Sequence, residues 1–219
     1  LPAWEKLMST YEGFLTSPDP TQRQWGICIM DDVLEYCGPE SIRYANYITQ
    51  PLIDGCQSPS AAVRQAAAYG VGVAAHRGGE AWSQFLGGSL PFLFQVTQVP
   101  DARNEDNVYA TENACASIAK ILHYNASTVG DVQAVITQWI DTLPVTNDEE
   151  AAPYAYAYLA ELIDQYVYMT LQARNNITDH THRGNPIAMG QASKLFVFIA
   201  QALEADTLRG QTASRVVAA

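Results

Sequence analysis

The sequence predicts an all-α fold, an α-solenoid of antiparallel helix pairs stacked along the chain, and three observations lead there. First, a helix opening recurs. The stretch Ser58–His76 (SPSAAVRQAAAYGVGVAAH) has looser copies: Arg23 lies 41 residues before Arg64, Val108 45 residues after Val63, and Ala152 44 residues after Val108. Self-similarity at roughly 40–47 residues is what stacked helix-pair repeats of the HEAT or armadillo kind produce. Second, apolar residues recur at steps of three or four. Val108, Thr111, Cys115, Ile118, Ala119 and Leu122 form one such stripe, and Ala62, Ala66, Tyr69, Gly70 and Val73 another; each reads as a buried helix face. Third, 48% of residues are hydrophobic and only 16% charged, the balance expected of helices covered on two sides by neighbours.

The elements follow in pairs. A-type helices are predicted at about 3–16, 39–56, 81–99, 129–143 and 186–204, and their B-type partners near 20–37, 59–77, 104–124, 147–170 and 207–218. The whole of 1–219 is therefore one array of about five HEAT repeats. Asp19-Pro20 and Ser58-Pro59 each offer an N-cap followed by proline at the first helical position, where its missing N–H costs nothing. Gly38-Pro39 and Gly78-Gly79 close the preceding B helices. Asp148, Glu149 and Glu150 suit a first turn, where the helix dipole favours negative charge. Residues 174–186 (RNNITDHTHRGNP) are polar, without periodicity and rich in breakers; they read as an irregular mobile loop. The last segment stops short of a full partner helix. Together with the absence of an initiator Met, this reads as the C-terminal fragment of a longer protein.

Charge and composition narrow the partners. The chain carries 12 Lys and Arg against 23 Asp and Glu, a formal charge of −11. That excludes direct nucleic-acid binding, which needs a basic face to release counterions, and suits basic protein partners, which an acidic surface steers in. No run of about 18 apolar residues predicts a membrane span. Cys28, Cys37, Cys56 and Cys115 lack metal or redox spacing and read as small buried side chains in a reducing compartment. The glycosylation-like triplets at Asn125 and Asn176 read as chance matches.

Chemistry is sparse. His180 and His182 beside Asp179 form an H-x-H without a second anchor, so a solvated loop is the plainer reading than a metal site. His76 and His123 sit near B-helix ends, where an imidazole can meet terminal carbonyls. No phosphate-binding loop or dinucleotide fingerprint is present; Gly70, Gly72, Gly87 and Gly88 lie inside predicted helices and suit close helix packing. Asp31, Asp32 and Glu35 form an acidic patch at helical spacing. An enzyme could use such a pair on a metal, but no further ligand joins them, and no cofactor or catalytic role is expected. Glu161 with Asp164, and Glu105 with Glu112, form similar patches, Glu112 adjoining Asn113. All lie on B helices, which in a solenoid line one continuous face, commonly concave, so the expectation is an acidic inner surface for Lys- and Arg-rich ligands. Tyr154 and Tyr158 share a face; packing with the hydroxyl at the rim explains them, a partner hot spot being the alternative.

Four segments then carry a resemblance. Gln24–Pro39 (QWGICIMDDVLEYCGP), Val63–Gly72 (VRQAAAYGVG), Ala110–Ile121 (ATENACASIAKI) and Phe198–Asp206 (FIAQALEAD) resemble the importin-beta, or karyopherin-beta, family, closest to the C-terminal HEAT repeats of its importin beta-three/importin-five branch. The likeness runs from about Pro18 to Asp164 and resumes near Leu195. It implies a nuclear transport receptor that shuttles between cytoplasm and nucleus. Such a receptor wraps basic cargo proteins, releases them on binding Ran-GTP, and passes the pore by contacting Phe-Gly nucleoporins. It also implies that Ran-GTP is held mainly through N-terminal parts with no counterpart here. The competing expectation is a general HEAT-repeat scaffold subunit of a non-transport complex.

Overall fold

The computed structural model describes residues 5–175 and 191–218, and every element among them is helical. The outer layer holds α1 (Met8–Leu15), α3 (Ala45–Cys56), α5 (Ser83–Thr97), α7 (Val132–Ile140) and α9 (Ala192–Glu204); the inner layer holds α2 (Pro20–Cys37), α4 (Ala61–Arg77), α6 (Val108–Tyr124), α8 (Ala152–Asn175) and α10 (Gly210–Ala218). Inner helices pack on one another in sequence, α2 on α4, α4 on α6, α6 on α8 and α8 on α10, while α3 packs on α5 in the outer layer. This is the five-pair α-solenoid that the period predicts.

The boundaries have local causes. The Asp19 carboxyl accepts the Thr21 N–H at 2.9 Å with Pro20 opening α2, as the sequence implies. At Ser58-Pro59 the expectation is corrected. The helix begins two residues later, at Ala61, because Ser58 Oγ accepts the Ser60 N–H instead and the Ser58 and Pro59 carbonyls bind Arg64. Asp148–Glu150 form the turn before α8 rather than its first turn, Asp148 accepting the Glu150 and Ala151 N–H groups. Gly38 closes α2 at φ +52°, a conformation a side chain would resist. Short 3-10 turns at Gly38–Tyr44 and Gly79–Trp82 lead into outer helices that tolerate Pro51 and Pro91 in their interiors. Arg174 and Asn175 of the expected loop end α8; its remaining residues, with His180 and His182, lie outside the described residues.

One hydrophobic core runs the length of the stack, with Trp82, Trp139 and Tyr156 almost wholly buried. The inner helices are thin where they cross. A Cβ on Gly70 would stand 2.1 Å from Asp31 Oδ1, and one on Gly72 2.3 Å from Ser117 Oγ, so both glycines are needed for helices to meet this closely.

The repeated arginine now has a role. Arg23 donates to the Ser17 and Pro18 carbonyls at 2.7 and 3.0 Å, and Arg64 to the Ser58 and Pro59 carbonyls at 2.7 and 2.9 Å. Each guanidinium ties an inner helix to the loop that leads into it from the outer helix. Arg64 also reaches the Asn107 side chain in the next repeat.

Candidate functional site

The inner helices line a groove of about 640 Å³. Its walls are Asp31, Asp32 and Glu35 from α2, Tyr69, His76 and Arg77 from α4, Asn113 and Lys120 from α6, and Asp148, Glu150 and Tyr154 at the entry to α8. The structure thus brings Asp31, Asp32, Glu35, Asn113 and Tyr154 into one surface, on the face the sequence assigns to B helices.

Within that surface the acidic residues differ. Asp32 is exposed and Glu35 half-buried. Asp31 is buried, and its Oδ1 has no hydrogen-bond partner among the described residues. Burial, then the neighbouring Asp32 and Glu35, push its carboxyl well above the usual carboxylate range, which favours its neutral form. Glu35 accepts from the Tyr69 hydroxyl at 3.3 Å and pairs with Arg77 at 3.6 Å. Asp148 accepts from Asn113 Nδ2 at 2.7 Å.

Other expected site residues lie elsewhere, for physical reasons. Glu105 is exposed in the turn before α6 and does not join the groove. Glu112 is fully buried. Its carboxyl accepts the backbone N–H groups of Thr146, Asn147 and Asp148 at 2.9, 2.9 and 2.7 Å and Asn147 Nδ2 at 3.1 Å, with Arg103 at 3.6 Å. It holds one repeat to the next and offers nothing to solvent. Glu161 pairs with His123 at 2.8 Å, and Asp164 with Arg215 at 2.5 Å. Tyr158 is buried edge-on against Trp139. His123 therefore meets a carboxylate rather than helix-end carbonyls, and His76 stacks on Tyr124 and meets Tyr154 edge-on. Of the cysteines, Cys56 and Cys115 are buried as expected, whereas Cys28 is exposed and Cys37 half-buried.

The sequence reading missed Lys120. It is 6% exposed, with its ammonium 3.9 Å from the Tyr154 ring centroid and 5.6 Å from that of Tyr69. Burial lowers it to about 8, opposed by Glu35 and Asp148. With Arg77 beside it, the groove is of mixed charge, acidic at the α2 wall and basic at the α4–α6 floor. The available signal was a lone lysine inside an otherwise small and apolar helix.

Among the described residues no group of three His, Cys, Asp or Glu is placed to hold a metal ion. No described helix is long and apolar enough to cross a membrane. The chemistry the groove supports is recognition of charged side chains.

Comparison with known proteins places this architecture. Residues 148–180 and 182–217 match the "Importin repeat" family model. The chain is 31% identical over 160 residues to importin subunit beta-3 of Saccharomyces cerevisiae, covering 73% of this chain and 15% of that protein. It is 27% identical over 142 residues to a probable importin-5 homolog of Dictyostelium discoideum, covering 62% and 13%. The solved karyopherin Kap121p bound to the SUMO protease Ulp1p superposes with a TM-score of 0.77 at 27% identity, over 98% of this chain and 18% of that one. The same karyopherin bound to RanGTP and to Nup53p gives 0.76 and 0.75, each at 25% identity and the same coverage. The chain thus spans less than a fifth of the length of these relatives. On these matches, and on its stacked helix pairs, the chain belongs to the importin-beta family as a stretch of HEAT-repeat array.

Proposed function

We propose that this stretch contributes a protein-binding surface to a nuclear transport receptor that carries basic cargo through nuclear pores, with Ran-GTP controlling release in the complete receptor. The observation that carries the reading is the groove across four consecutive inner helices, with Asp32 exposed on its α2 wall and Glu35 half-buried beside it in a partly exposed pair with Arg77. Exposed carboxylates in a cleft attract Lys and Arg side chains and steer their approach. The relatives support the wider role. Kap121p has been solved with a protease, with RanGTP and with Nup53p, which supports a receptor that moves between cytoplasm and nucleus, this stretch serving cargo and Phe-Gly nucleoporins while Ran-GTP is held mainly by other parts of the complete receptor. The family consists of transport receptors, and the groove is read here as a binding surface rather than an active site.

The test is binding of a Lys/Arg-rich peptide to the 219-residue chain across a salt series, beside the Asp32→Ser/Glu35→Ser variant. Wild type should bind more weakly as salt rises, and the variant should bind more weakly with a flatter salt slope. Equal affinity in both would remove the groove from the cargo surface. A parallel pull-down on immobilised Phe-Gly repeats separates a transport receptor, which should retain them, from a general scaffold, which should not.

A further inference from the structure

Lys120 is out of place in a groove that serves basic segments alone. Its ammonium opens onto the groove, yet among the described residues no hydrogen-bond acceptor lies within reach of it; its neighbours are the faces of Tyr154 and Tyr69. The nearby carboxylates are committed. Glu35 is held by Arg77 and the Tyr69 hydroxyl, and Asp148 by Asn113 and two backbone N–H groups. An ammonium carries three N–H donors, and here they turn to the groove, where solvent or a ligand must receive them. A carboxylate arriving from a ligand would supply those acceptors, with the Arg77 guanidinium adding favourable charge on the same wall.

We propose that Lys120 is a carboxylate-binding pole of the groove, so that the docking segment is a mixed-charge peptide, presenting an acidic group to Lys120 and basic side chains to Asp32 and Glu35. This rests on the groove's being the docking site for basic segments, and it names what such a segment carries besides basic residues. It sets a selectivity that net acidity does not: a purely basic peptide leaves the ammonium unanswered.

The probes are three acetylated peptides measured by calorimetry at low salt against the 219-residue chain: GRKGSEGSG with an amidated C-terminus, the same peptide with Gln for Glu, and the Gln peptide with a free C-terminal carboxylate. The Glu peptide should bind about tenfold more tightly than the amidated Gln peptide, the scale of one charge-assisted hydrogen bond. Recovery of affinity in the third peptide would assign the carboxylate to a chain terminus; no recovery would assign it to an acidic side chain. The preference should vanish in Lys120→Met, which keeps the packing against Tyr154, and survive in Lys120→Arg. Lys120→Gln replaces the first variant should it fail to fold by circular dichroism. Glu and Gln peptides binding wild type equally overturns the Lys120 assignment alone. Binding of none of the peptides overturns the underlying reading of the groove.

Discussion

Removing the Glu112 carboxyl should unfasten the third repeat from the fourth. The side chain is fully buried and accepts four N–H groups from Thr146, Asn147 and Asp148, at 2.7 to 3.1 Å. In Glu112→Ala those donors lose their acceptor. Each donor left buried costs roughly 1–3 kcal/mol. The turn is partly exposed, so some donors will find water, and Arg103, at 3.6 Å, loses its buried partner. The net expectation is about 3–5 kcal/mol, a large share of the roughly 5–15 kcal/mol that holds a typical domain. At ~2–4 °C per kcal/mol for a chain of this size, the melting temperature should fall by roughly 10 °C. Glu112→Gln keeps one acceptor but turns an amide towards the donors, and should cost about half as much. Solenoids can open repeat by repeat, so the decisive readout is local. Amide exchange at Thr146, Asn147 and Asp148 should accelerate far more than at the α2–α4 contacts. If Glu112→Ala loses less than about 1 kcal/mol, or those three amides stay protected, the carboxyl is not the fastener described here.

Arg64→Ala should cost roughly 2–4 kcal/mol in chemical denaturation, because two loop carbonyls and Asn107 lose a buried donor. Arg64→Lys should recover little of that, since an ammonium cannot reproduce the fork; full rescue by Lys would refute the role. Gly70→Ala should destabilise by about 1–3 kcal/mol, and Asp31→Ser in the same chain should restore part of it by clearing the 2.1 Å clash; strictly additive losses would contradict that contact. The two displaced titrations make opposite pH predictions. Asp31 sits above its unfolded value, so its stabilising contribution is full at low pH and falls as pH rises. Asp31→Asn should therefore raise the melting temperature at pH 7 but not near pH 3.5. Lys120 is lowered to about 8, so wild type gains stability between about pH 8 and 10, and the advantage of Lys120→Met at pH 7 should fade across that window; melts that are flat in pH would refute both. Cys28 should take up maleimide in the native state while Cys56 and Cys115, buried and pushed up to about 12 and 11, label only on unfolding.

The fold was legible because its signals are local and repeated. Arg23 and Arg64 recur since each inner helix meets the same pair of loop carbonyls, and the small-residue stripe of α4 recurs wherever inner helices cross. The site was only partly legible, because its decisive partners are distant in sequence. Glu112 resembles a surface carboxylate by spacing alone; its donors lie 34 to 36 residues away in a turn. Asp31 reads as the centre of an acidic patch, yet the missing side chain at Gly70 lets α4 close over it. Lys120 was hidden for the converse reason. An inner helix is covered on most sides, so a groove-facing position has no periodicity of its own to announce it.

The side-chain bonds that cross the successive joints differ in how exposed they are. Between α2 and α4 the crossing runs through Glu35, which meets Tyr69 and Arg77 at a partly exposed rim, and exposed pairs of this kind contribute little. Between α4 and α6 the crossings are buried and aimed at backbone, Ser117 to the Ala68 carbonyl at 2.7 Å and Asn125 to that of Ala75 at 2.8 Å. Between α6 and the turn that opens α8 the Glu112 cluster is the crossing, its carboxyl buried and aimed at backbone N–H groups. The crossing side-chain bonds are thus more exposed at the α2–α4 joint than at the next two, although α2 and α4 pack closely along their length. Asp32 and Glu35 stand beside the exposed bonds, and Lys120 beside the buried ones. A ligand joining the two poles would bridge the α2 wall and the α6 floor. It would also compete with Arg77 for Glu35, so ligand binding and opening of that ion pair are one equilibrium.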